Sequence, residues 1–95
     1  MTEPRTRPGP RGAAGTDVLP PWAVILHNDD VNEMGYVVQS LLLCVPRLTR
    51  TDAVAIMYTA HLHGQARVTI CPLELAELYR ERLERRGLTA TIEPA

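Results

Sequence analysis

The chain has 95 residues, 45% of them hydrophobic, and a formal net charge of −1. That length holds one domain with a modest core. The near-neutral charge lacks the electrostatic footprint of a nucleic-acid binder, and no apolar run approaches the roughly 20 residues needed to cross a bilayer.

The opening stretch, "MTEPRTRPGPRG", has basic residues but no apolar segment behind them, so it does not read as a secretory signal. Residues 1–21 hold five of the eight prolines and three of the six glycines, and almost no large apolar side chains. Such a segment cannot bury enough surface to offset its ordering entropy, so a flexible tail is expected over 1–21 and a folded core over 22–95. The tail reads either as an inert extension or as a peptide offered to a partner. Cys44 and Cys71 lie far apart in apolar contexts and read as core thiols of a reducing compartment, which points to the cytoplasm.

From Trp22 onward the pattern is regular. "WAVIL" is β-rich and nearly all apolar, which predicts a strand central in its sheet. Met34, Val37, Val38, Leu41, Leu42 and Val45 recur at helical spacing. Asn32, or Asp30 with Glu33 three residues on, is the expected cap, and Pro46 the expected stop. A second helix is predicted from Thr51 to Leu62, capped by Thr49 or Thr51 and stopped by Gly64. Val54, Met57, Tyr58 and His61 share one face of it. "QARVTI" alternates as a strand. A third helix opens with Pro72 in its first turn, carries Leu75, Leu78, Tyr79 and Leu83 as its apolar stripe, and stops at Gly87. "LTATIEP" is the last strand. The order β-α-α-β-α-β implies a compact α+β sandwich, a three-stranded antiparallel sheet with three helices on one face.

The chemistry-bearing residues concentrate in "HNDDVNEM", His27 to Met34. Asp29 and Asp30 are adjacent, so on an extended backbone they point to opposite faces and do not share a proton. There is no nucleophile elbow, phosphate loop or CxxC pair. His61 and His63 form an HxH pair. It reads either as part of a metal site or, more simply, as partly buried, hydrogen-bonded imidazoles. As a binding site the corner is more informative: an amide, a carboxylate and an imidazole offer acceptors to a three-donor ammonium group. Met34 and Met57 bring adaptable thioethers to line an adjoining hollow.

"VILHNDDVNEMGYVV", "DAVAIMYTAHLHG" and the closing "ELAE…TATIEP" together resemble the ClpS family of protease adaptors, over roughly Trp22 to Ala95. The resemblance implies an adaptor that binds proteins beginning with Leu, Phe, Tyr or Trp and delivers them to a Clp-type AAA+ protease. It implies that Asn28, Asp29 and His61 grip the substrate's α-amino group and that Asn32 lies near its backbone. Met34 is implied as a gate that excludes β-branched side chains, and Leu26, Val37, Met57, Ala60 and Leu88 as the lining of the hydrophobic pocket. Ala60 stands where the family usually has Val, which implies a deeper hollow favouring bulkier rings. The surface implied for docking to a ClpA- or ClpC-type ATPase holds Val31, Glu74 and Tyr79. Here the chain departs from the pattern: Val31 replaces an aromatic residue, Tyr79 a basic one, and Gly35 an acidic one.

The expectation is therefore a non-enzymatic, monomeric N-degron adaptor with no cofactor and no metal, its tail engaging the protease. The alternative is a diverged ClpS-like peptide-binding module serving a different partner. A third possibility is a small metal-dependent enzyme built on His61, His63 and Asp29.

Overall fold

The structure, a computed structural model, describes residues 19–95. The tail expected over 1–21 therefore lies, up to residue 18, outside the described residues. Six elements follow in order: β1 (Trp22–His27), α1 (Met34–Cys44), α2 (Arg50–His63), β2 (Gln65–Cys71), α3 (Leu73–Arg85) and β3 (Thr89–Pro94). The sheet is antiparallel with order β2-β1-β3, so β1 is the central strand, as its unbroken apolar run predicts.

Val24 and Leu26 on β1, Ala66, Val68 and Cys71 on β2, and Ala90 on β3 face the three helices and form one core with them. Ala23 and Ile25 point the other way and still are buried, between their register partners Ile70 and Glu93, and Arg67 and Thr91. Between Val24 and Ile25 the register of β2 slips by one residue, because Thr69 and Arg67 are the successive partners. That bulge reverses the alternation, which is how Cys71 joins Ala66 and Val68 in the core. Cys44 and Cys71 are free and buried, and burial pushes both thiols up, against the opposing charges of Arg86 and Arg82 in one case and Arg47 in the other.

The helices differ from expectation at their ends. α1 starts at Met34 with Glu33 at the cap, and no side chain bonds there. Neither Asn32 nor Asp30 caps it, because Asn32 is engaged elsewhere. α2 is capped by Thr49, not Thr51. Asp52 N–H donates to Thr49 Oγ1 at 3.1 Å and Thr49 N–H donates to Asp52 Oδ2 at 3.0 Å, a reciprocal capping box. Gly64 ends it at φ +90°, a conformation only glycine takes without strain. Pro72 is the cap of α3 rather than its first residue. The buried stripe of α3 is Ala76, Tyr79 and Leu83, while Leu75 and Leu78 are 39% and 37% exposed. The three-then-four spacing of Ala76, Tyr79 and Leu83 defines one face, and the small Ala76 is fully buried there.

Candidate functional site

β1 and α1 are joined by a six-residue corner, residues 28–33, that contains neither glycine nor proline. Asn28 N–H donates to Gly64 O at 2.9 Å, which ties the end of β1 to the end of α2. Asp29 then replaces a special backbone conformation with side-chain bonds. Its Oδ1 accepts from Val31 N–H at 3.1 Å, from Asn32 N–H at 2.9 Å and from Asn32 Nδ2 at 3.2 Å. This is the Asx arrangement by which a carboxylate folds the chain following it. Among the described residues Asp29 Oδ2 accepts only from Asn32 Nδ2, at 3.2 Å, and keeps acceptor capacity.

Asn32 also donates through Nδ2 to Gly87 O at 3.0 Å, so one amide braces both the corner and the α3–β3 turn. Gly87, at φ +84°, makes that turn. The neighbouring carbonyl is held as well: Tyr36 Oη donates to Arg86 O at 2.7 Å, and the Arg86 guanidinium lies 4.9 Å over the Tyr36 ring. Arg86 Nε donates to Ser40 Oγ at 2.7 Å, satisfying a hydroxyl that is fully buried on α1. Leu88 follows directly, its N–H bonded to Leu83 O at 3.1 Å, and is thereby fixed on the far wall of a hollow.

That hollow encloses about 370 Å³ including its open mouth. Leu26, Val37, Met57, Ala60 and Leu88 supply its apolar lining, with Met34 at 41% exposure; Asn28, Asp29, Asn32 and His61 supply polar groups. All ten residues singled out for the amine and side-chain pocket thus converge on one cavity. His27 lines it too and was missed. Its ring nitrogen Nε2 and Thr91 Oγ1 are 2.7 Å apart.

The other readings fare differently. Val31 is 89% exposed and Glu74 is exposed, but Tyr79 is buried at 8%. Tyr79 belongs to the inner face of α3 and presents no docking side chain. His61 and His63 are both exposed, not partly buried, and two residues apart on a helix they project about 200° apart. Among the described residues no group of three or more His, Cys, Asp or Glu is placed to hold a metal. No helix among them is long and apolar enough to cross a membrane.

A three-helix, one-sheet fold with an apolar hollow and an acceptor-rich lip defines a small binding module for a group that is cationic at one end and apolar at the other. The comparisons narrow this class. Residues 18–91 match the family model described as ATP-dependent Clp protease adaptor protein ClpS. The chain is 42% identical to the Clp protease adapter protein ClpS of Synechococcus sp. (strain CC9902), over 99% of this chain and 98% of that one. It is 48% identical to the ClpS of Synechococcus elongatus, over 81% of each. The structure of Agrobacterium tumefaciens ClpS2 bound to L-phenylalaninamide superposes with a TM-score of 0.71 at 28% identity, covering 80% of this chain and 98% of that one. The chain belongs to the ClpS family of Clp protease adaptors.

Proposed function

We propose that the hollow receives the first side chain of a substrate protein beginning with Leu, Phe, Tyr or Trp, while Asn28, Asp29 and His61 meet its free α-amino group. Family membership makes the chain an adaptor, and the hollow's chemistry says what it takes. The observation that carries this reading is the convergence of an apolar lining and a carboxylate with spare acceptor capacity on one small cavity. The Agrobacterium relative holds a ligand of that kind, an amino-acid amide with an aromatic side chain and a free amine.

The magnitudes are adequate. Burying a Leu or Phe side chain contributes about 1.5–3 kcal/mol. Each hydrogen bond to the ammonium adds about 1.5–3 kcal/mol. After association costs the expected affinity is on the order of micromolar. Met34 closes the mouth against β-branched side chains, and Asn32, already bonded to Asp29, lies beside the path of the peptide backbone. The protein acts in the cytoplasm as a monomer, without catalysis of its own. It delivers its cargo to a ClpA- or ClpC-type AAA+ ATPase through a surface that includes Val31 and Glu74, and residues 1–21 engage the protease.

The test is fluorescence anisotropy with peptides differing only in the first residue: Leu, Phe, Tyr, Trp, Ile and Ser, with acetylated Phe as control. Micromolar binding for some of the first four, lost on acetylation, is the expected result. Equally weak binding of every peptide sinks the reading.

A further inference from the structure

A second depression adjoins the hollow. It is a groove of about 850 Å³, open to solvent, that runs between α1 and α2. Met34 and Met57 wall both spaces, so the groove begins where the hollow's mouth ends. Half-buried Leu42 and Val54 line it, and Tyr58, 48% exposed, stands at its side. Gly35 lies at the near end with nothing within 4 Å of where a Cβ would be, which leaves room for another backbone to pass close by. Arg50, the first residue of α2 and about two helical turns from Met57, brings a positive charge to the far end.

We propose that this groove is a second subsite, which takes the substrate segment following the first residue and favours an acidic side chain near its fourth position. The proposal rests on the hollow being the site of the first residue. From Met57 to Arg50 the helix spans about 11 Å. An extended chain covers about 3.3–3.6 Å per residue, so three steps from the hollow's mouth bring the fourth residue to Arg50. The occupant is the same peptide and not a separate partner, because the groove shares Met34 and Met57 with the hollow and so continues directly from it. The apolar walls suit the intervening side chains, and the charge at the end gives a sign preference.

The experiment measures affinities for Phe-initiated peptides bearing Glu, Gln or Lys at position four, in 50 mM and 500 mM salt, with phenylalaninamide as a ligand too short to reach the groove. Glu should bind about two- to fivefold tighter than Lys at low salt, a range typical of exposed charge pairs, and the gap should narrow at high salt. Arg50→Glu should reverse the order, and Gly35→Gln should weaken all the peptides. Both variants should bind phenylalaninamide as the unaltered protein does. Equal affinities for Glu and Lys peptides, or an order unchanged by Arg50→Glu, would overturn the proposal and leave the hollow standing. Failure of phenylalaninamide and of every peptide to bind the unaltered protein would remove the hollow's role, and the groove's with it.

Discussion

Asp29→Asn isolates the charge at the corner while keeping its shape. The asparagine Oδ1 still accepts from Val31 and Asn32 N–H, so the turn survives. Its amide nitrogen, however, takes the place of the oxygen that now lies 3.2 Å from Asn32 Nδ2, and two donors then face each other. That loss is about one hydrogen bond to a carboxylate, roughly 1.5–3 kcal/mol, which lowers Tm by about ten degrees or more in a domain of this size. The protein remains folded at 20 °C. Binding suffers as well, because a charge-assisted bond to an ammonium contributes about 1.5–3 kcal/mol. Affinity for a Phe-initiated peptide should therefore fall about ten- to hundredfold by anisotropy. The decisive comparison is a cycle with the acetylated peptide. If Asp29 meets the amine, the gap between free and acetylated peptides shrinks in Asp29→Asn. Binding within twofold of the unaltered protein, or an unchanged gap, would refute the assignment of Asp29.

Three further outcomes are expected. Ala60→Val adds two methyl groups to the hollow's lining, where Ala60 is buried, and should lower affinity for Trp- and Phe-initiated peptides on the order of tenfold relative to Leu; an unchanged aromatic-to-Leu ratio would show that Ala60 does not set depth. Tyr36→Phe deletes the bond to Arg86 O and should lower stability by about 0.5–1.5 kcal/mol in thermal unfolding; an unaltered Tm would mean that this clasp adds nothing. The Thr49 backbone N–H, followed by its hydroxyl, holds the Asp52 carboxyl below its ordinary value. A depressed folded value means that the contribution is present above the unfolded pKa and lost as pH falls through the folded one. Asp52→Asn should therefore flatten the acid side of the stability–pH profile below about pH 4, and a parallel profile would count against the capping box.

Much of the fold was legible because its signals are local. The continuous apolar run of β1 marks a central strand, and Gly64 and Gly87 mark left-handed stops that the backbone then adopts. The apolar stripe of α3 was misplaced because Leu75, Leu78, Tyr79 and Leu83 outweigh a single alanine on hydrophobicity. Packing instead put Ala76 inside, where its small size fits. The bulge in β2 has no sequence mark at all, since Val68 continues the alternation and only pairing with β1 shows the slip. At the site, the ten residues expected around the hollow do line it. What composition did not offer were the bonds of the clasp formed by Tyr36, Ser40 and Arg86. Those depend on contacts between α1 and the end of α3, about 46 to 50 positions apart in sequence.

The same carboxylate both builds the corner and equips it. A turn made by glycine or proline would be fixed by backbone alone and would bring no ligand-binding group. Here three N–H donors converge on Asp29 Oδ1, and one of them, Asn32 Nδ2, also reaches Oδ2 and the carbonyl of Gly87. The carboxylate is therefore immobilised before any ligand arrives, so little side-chain freedom remains to be lost when an ammonium group binds. Asn32 extends that rigidity across the mouth to the turn that places Leu88. The polar grip and the apolar far wall are thus held at a fixed separation, and a first residue has to satisfy both at once. If Asp29 meets the amine as proposed, a cation without an apolar body leaves the lining unfilled, and an apolar body without a free amine leaves Asp29 unanswered. On the proposed reading, selectivity for a free, bulky N-terminal residue would follow from that spacing rather than from the strength of either contact alone.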